Sequence, residues 1–336
     1  MTSLETVVCA VCGSTTTQVA RLRVPRDEFA VAIGVRGGRS RWVVCEQCGL
    51  VFQSPRPDAG AVDAMYLEGG YHEVRGGIPE HYVRYSLRRS QAAIAWGLEQ
   101  PGLRGRMGRA LDIGSGIGGA LVCLRERGWD VTGVEPDPNL AAAGRLRFGL
   151  RLVQGFLDDS VLEGEAFDLA YSCHVWEHLA DPRATSAVAH KLLAAQSGYL
   201  LIVVPTFRKA RTWAWSCFTA PHTYMFTDVS LSNLLASAGF KTISYRYASA
   251  ADSELWLLAQ AVEPVFSAAA PRREVVGSIQ REIATVPLRA PLGLPNRALA
   301  HIRTLAADPR DFWRRLTRWT RSRSARIRVT VTGRRR

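Results

Sequence analysis

The segment 109–119, RALDIGSGIGG, carries a short apolar strand into a loop with four glycines, and the helix-forming run ALVCLRERG follows at once. Glycine accepts positive φ and adds no Cβ, so such a junction lets the backbone approach a ligand closely. The pattern Gly114-x-Gly116-x-x-Gly119, with Glu135 placed 21 residues beyond Gly114 at the end of the next strand, fits a dinucleotide site in which the acid grips a ribose. The same residues also read as Asp112-x-Gly114-x-Gly116-x-Gly118. An acid two places before the first glycine suits a ligand that carries a cation, such as the amino group of a methionine moiety, and is ill placed beside a pyrophosphate. The loop alone leaves both readings open.

The flanking pattern narrows them. Strand and helix signatures alternate as ALDIG, 117–127, VTGVE, 138–148, RLVQG, FDLAYSC, 183–195, YLLIVVP and 228–238, which predicts a doubly wound Rossmann-like sheet. The helix over 228–238 takes its cap from Thr227 or Asp228 and stops at Gly239. FKTISYRYA and ELWLLAQAV then follow, separated only by SAADS. A parallel return needs a crossover of a dozen or more residues, so these last two strands must form an antiparallel hairpin. An antiparallel seventh strand is not the usual end of a dinucleotide domain.

Two further pieces share one device. CAVCG at 9–13 and CEQCG at 45–49 each pair two cysteines with a glycine that permits a tight knuckle. Together Cys9, Cys12, Cys45 and Cys48 supply four thiolates, enough to close a tetrahedral Zn²⁺ site with no open position. The expectation is a structural zinc ribbon, with TQVARLRV and SRWVVC as its hairpin strands. Cys123, Cys173 and Cys217 stand in apolar surroundings and read as buried thiols.

On these segments the chain resembles the class I methyltransferases that use S-adenosylmethionine. LDIGSGIGG, GVEPD, FDLAYSCHVWEHLADP, YLLIVVP and PHTYMFTDVSLSNLLASAGF fall in that family's order. VVCEQCGLVFQSPRP resembles the zinc-bearing N-terminus of a subgroup associated with sugar and natural-product modification. The resemblance, over about residues 5–260, implies a seven-stranded methyltransferase sheet with an antiparallel last strand. It implies that Gly114, Gly116 and Gly118 admit the methionine part of the cofactor, that Asp112 orders its amino group, and that Glu135 accepts both ribose hydroxyls. The acidic residue expected just after Gly155 is absent: Phe156 stands there, able to pack on the adenine, and Asp158 is the nearest acid.

The segment SCHVWEH at 172–178 follows a central strand, where ligands bind in open α/β sheets. His174, Glu177 and His178 thus lie near the cofactor, and three readings stand: they shape the acceptor pocket, one histidine is a general base, or Glu177 and His178 hold a divalent cation. In 205–226, PTFRKARTWAWSCFTAPHTYMF, His222 and Tyr224 are the candidates for acceptor contact, with His222 also a candidate base. Arg208 and Arg211 are candidates to hold an acidic acceptor such as the diphosphate of a nucleotide sugar. No Asn/Asp-Pro-Pro-Tyr segment is present, and Cys173 follows Ser172 rather than proline, which weakens a nucleobase acceptor.

The expected organisation is a zinc ribbon over 1–57, a helical lid over 58–107, the cofactor-binding core over 108–263 and a basic, partly helical extension over 264–336. The net charge of +13 belongs largely to the end: residues 301–336 hold twelve arginines against Asp308 and Asp311. Phe312, Leu316 and Trp319 recur there at helical spacing, a pattern that can dock on the core, lie on an anionic membrane or contact RNA. No basic segment followed by an apolar run opens the sequence, so the expected location is the cytoplasm, with a membrane-peripheral position as the variant. The expected activity is methyl transfer from S-adenosylmethionine to a small molecule. Its rivals are an RNA methyltransferase, a zinc-ribbon binding protein with a degenerate cofactor fold, and an NAD oxidoreductase.

Overall fold

Strands β6 (Arg109–Ile113), β7 (Asp130–Glu135), β8 (Arg151–Gln154), β9 (Leu169–Cys173), β10 (Tyr199–Pro205), β12 (Phe240–Ala248) and β13 (Glu254–Ala261) form one sheet in the order β12-β13-β10-β9-β6-β7-β8. The computed structural model describes residues 4–22, 40–67, 80–208, 217–248, 254–262 and 272–285. Neighbours from β10 to β8 run parallel, while β13 pairs antiparallel with both β10 and β12. This is the doubly wound methyltransferase sheet that the resemblance implied, hairpin included.

Both faces of the sheet are covered, which is why its strands read as nearly continuous apolar runs. Leu200, Ile202 and Val204 of β10 join a cluster with Leu111, Ile113, Leu255 and Leu257, while Tyr199, Leu201 and Val203 join the opposite cluster with Ala110, Leu169 and Leu258. Helices α3 (Gln91–Leu98) and α4 (Gly119–Arg125) supply Ala93, Ile94, Leu121 and Leu124 to the second cluster. Helices α6 (Pro182–Ala194) and α7 (Asp228–Ser237) supply Ala189, Leu193, Leu231 and Leu235 to the first. Helix α5 (Pro138–Phe148) starts on Asp137, whose Oδ1 accepts from the N–H groups of Asn139 and Leu140 at 2.8 and 3.2 Å. Thr227 caps α7 in a capping box with Ser230, and Gly239 ends it at φ 91°.

The N-terminal sheet departs from a self-contained ribbon. Strands β2 (Thr17–Val19), β3 (Trp42–Cys45) and β4 (Val51–Gln53) are joined by β11 (Tyr224–Met225), in the order β11-β4-β3-β2. A small pair, β1 (Leu4–Glu5) with β5 (Arg56–Pro57), lies beside them in sequence. The strand β11 comes from the connection between β10 and α7, so the core itself completes the ribbon sheet. Cys9, Cys45, Cys48, Leu50 and Phe52 belong to the same apolar cluster as the first face of the large sheet. Helix α8 (Val276–Ala284) also grips this region: Gln280 accepts from Arg21 N–H at 2.8 Å and donates to Val19 O at 3.0 Å.

The segment 58–107, expected as a helical lid, forms α1 (Ala59–Leu67), α2 (Glu80–Arg89) and α3, with Ser90 dividing α2 from α3. Among the described residues no helix is long and apolar enough to cross a membrane. Arg211 and the segment 286–336, with Phe312, Leu316 and Trp319, lie outside the described residues.

Candidate active site and metal centre

The glycine loop adopts the backbone that its sequence requires. Gly114, Gly116 and Gly118 have φ of 72°, 56° and 84°. A Cβ on Gly118 would meet Leu150 Cδ1 at 2.2 Å, and one on Gly114 would meet Val175 Cγ2 at 2.4 Å. The loop is fixed to the neighbouring strand, because Gly114 and Ser115 N–H both donate to Val134 O.

Glu135 closes the loop from the side. Its Oε2 accepts from Gly116 N–H at 2.6 Å and its Oε1 accepts from Asp137 N–H at 2.9 Å. Burial raises its pKa from 4.5 to about 7 against the pull of those two donors. Asp112 is buried as well, and burial, then the nearby Glu135, push its carboxyl well above the ordinary range. Asp137 Oδ2 is buried without a hydrogen-bond partner. Three buried carboxyls stand around one glycine loop, and a bound cation would favour the ionised form of Asp112 and Glu135. That donor set fits the ammonium, sulfonium and ribose hydroxyls of S-adenosylmethionine and repels a pyrophosphate.

Tyr82 on α2, which sequence reasoning missed, covers the loop: its Oη lies 3.4 Å from where a Gly116 Cβ would stand. Phe156 is half-buried after Gly155. Asp158 is exposed, and its Oδ1 accepts from Ser160 N–H, Ser160 Oγ–H and Val161 N–H, which holds it in a local turn.

Beyond the end of β9 the histidines gather. His174 takes a left-handed φ of 57°, uncommon for a residue with a side chain. Its Nε2 lies 2.9 Å from Glu254 Oε1 and its Nδ1 lies 3.3 Å from Glu177 Oε1. Glu254 was not anticipated from the sequence. It opens β13 opposite Pro205, so the antiparallel direction of that strand begins where β10 ends, at the ligand edge. Glu177 is fully buried, and burial raises its pKa to about 8.

His178 and His222 stand edge to face with centroids 4.7 Å apart. Burial drives both away from the charged form, His222 down to about 4 and His178 well below the ordinary range, with His222 adding to the effect on His178. Glu177, His178 and His222 each offer a ligand atom, all within 4.8 Å of one another. Tyr66 of α1 sets its ring against His178 at 5.9 Å.

The structure does not bring two predicted acceptor contacts to this cluster. Tyr224 is buried in β11, where its Oη accepts from Arg56 Nη1 at 3.0 Å. Arg208 pairs with Asp228 at 3.0 Å, with Glu282 at 2.9 Å and with Glu274, which ties α8 to the connection after β10.

The four paired cysteines do converge. Cys9 Sγ lies 3.4 Å from Cys48 Sγ, and Cys12 Sγ lies 3.5 Å from Cys45 Sγ. These separations exceed a disulfide bond and approach the ~3.8 Å between sulfurs of a tetrahedral zinc site with bonds of about 2.3 Å. Hydrogen bonds from Cys48 and Cys9 hold the Cys45 thiol well below its ordinary range. Here the cluster can ligate a metal, and its four thiolates fit zinc.

The 1,6-didemethyltoxoflavin-N1-methyltransferase of Burkholderia thailandensis is 22% identical, over 64% of this chain and 96% of that one, with a TM-score of 0.46. An O-methyltransferase family protein from the same organism is 21% identical, over 59% and 63%, with a TM-score of 0.45. Magnesium protoporphyrin IX methyltransferase from Synechocystis PCC 6803 is 14% identical, over 60% and 94%, at 0.42. No curated protein matches the sequence. Residues 80–245, which run from α2 through the glycine loop and the histidine cluster into β12, match the family model described as a methyltransferase domain.

Proposed function

We propose that this chain is an S-adenosylmethionine-dependent methyltransferase acting on a small-molecule acceptor. The observation that carries the reading is the trio of buried carboxyls, Asp112, Glu135 and Asp137, around the glycine loop. Glu135 would take the ribose hydroxyls, Asp112 the methionine ammonium, and Gly114 and Gly116 the methionine backbone. The bound cofactor supplies an electrophilic methyl on a sulfonium sulfur, whose leaving thioether is neutral and needs no acid.

The protein's share is therefore alignment and proton removal. Tyr82 and α2 exclude water above the loop. Alignment of this kind supplies on the order of 7–11 kcal/mol. His174 is the proposed base: with Nε2–H donated to the Glu254 carboxylate, Nδ1 is the proton-accepting atom. A positioned base adds roughly a hundred- to ten-thousand-fold for a hydroxyl acceptor. Hydroxylated sugars and natural-product intermediates are the first acceptors to test, because the Cys-x-x-Cys segments resemble those of enzymes on such substrates. The Cys9, Cys12, Cys45 and Cys48 site is proposed to hold zinc in a structural role.

Calorimetric titration of the wild type and Glu135→Ala with S-adenosylmethionine and with NAD tests this reading. Expected are binding of S-adenosylmethionine alone and a loss of affinity in the variant. Binding of NAD, or of neither compound, would overturn it.

A further inference from the structure

We propose that Glu177, His178 and His222 form a second metal centre, a two-histidine, one-carboxylate site for a divalent cation of the zinc class. The three ligand atoms already lie within 4.8 Å of one another, and His178 Nε2 is 3.6 Å from Glu177 Oε1. Ligand atoms of a tetrahedral zinc with bonds of about 2.0–2.1 Å stand about 3.3 Å apart. Small side-chain rotations close the difference.

The outer partners are those that a metal site needs. A ligating histidine donates its other ring N–H to a carbonyl or carboxylate, which fixes the tautomer and turns the remaining lone pair to the metal. His178 Nδ1 lies 3.0 Å from Pro221 O, and His222 Nδ1 lies 2.7 Å from Cys217 O. Both rings therefore present Nε2 as the acceptor atom.

Glu177 supplies the independent sign. It is 0% exposed; its Oε1 faces His174 Nδ1 at 3.3 Å and His178 Nε2 at 3.6 Å, and neither oxygen makes a hydrogen bond. A buried carboxyl left in that state is costly and calls for an explanation. A cation between it and the two imidazoles provides one. Arg89 and Glu254 act on it with opposite sign.

The three ligands are also held from outside. Thr223 N–H and Tyr224 N–H donate to Glu177 O at 2.6 and 3.2 Å. Gln53 of the ribbon sheet donates its side-chain amide to Thr219 O, Ala220 O and His222 O, which fixes the loop that delivers His222. Three protein ligands leave one position of a tetrahedron for an oxygen donor, unlike the closed four-thiolate site. The centre does not depend on the transferase reading, because its test reads metal rather than turnover.

Cobalt(II) is the probe, added to the metal-free full-length protein, with bound metal counted by mass spectrometry after gel filtration. Expected are two cobalt ions per chain: one with intense thiolate charge-transfer absorption, and one with only weak visible bands of nitrogen and oxygen ligation. Glu177→Gln, which keeps the side-chain shape, and His222→Ala should each retain the thiolate absorption and hold one ion. A wild type that binds a single ion, or a second ion that persists in Glu177→Gln, would overturn the proposal, whatever the folding of His222→Ala.

Discussion

Glu135 joins local geometry to ligand chemistry. Its carboxyl titrates near 7 rather than 4.5 because burial outweighs two backbone donors. Hydroxyls of a bound ribose donate to the ionised form and lower that value. Binding then expels a proton wherever the free carboxyl holds one. Cofactor affinity should accordingly be full above pH 7 and fall about tenfold per pH unit as the pH drops from 7 toward 4.5. Calorimetry across that range should show the slope in the wild type, and Glu135→Gln should bind more weakly with a shallower slope. His174 makes the second prediction at this scale. His174→Ala should lower turnover by roughly a hundred- to ten-thousand-fold while cofactor affinity stays unchanged. Release of S-adenosylhomocysteine over a panel of hydroxylated acceptors reads the first quantity, and calorimetry reads the second.

Among the elements, β4 and β11 carry the least expected relation. Gln53, at the end of β4, reaches across to hold the carbonyls of residues 219, 220 and 222, next to the strand that pairs with β4. Gln53→Leu keeps the volume and removes the donor. It should reduce turnover by loosening the His222 loop, with cofactor affinity and the four-thiolate site retained, as a paired activity assay and cobalt spectrum would show. The sequence made plain what is consecutive. The glycine loop, its acid one strand later, the hairpin after α7 and the two knuckles are each written within a few residues, where backbone preference and period decide. Glu254 and Gln53 escaped notice because they meet their partners across 80 and 169 positions in the chain. Tyr224 misled for the complementary reason: a polar aromatic in a ligand-side connection looks available until a strand pairing buries it. Helix α8 was hidden by the proline- and glycine-rich segments on either side of it.

At the scale of the molecule, the cysteine cluster and the sheet are one packed body. Cys9, Cys45 and Cys48 share their apolar cluster with Leu200 and Leu255 of the central strands. Disrupting the cysteine cluster should therefore be felt beyond the N-terminal sheet. Cys48→Ser should lower the melting temperature of the whole chain as a single transition rather than release an early, separate one; differential scanning calorimetry distinguishes the two. The same architecture limits how this protein can be recombined. Because β11 is borrowed from the connection after β10, the ribbon is encoded in two distant stretches, near 4–57 and near 217–226. A chimera that exchanges only the first stretch with a relative would pair a foreign sheet with a native edge strand. Transplanting the ribbon intact requires both stretches to travel together, and His222 travels with them.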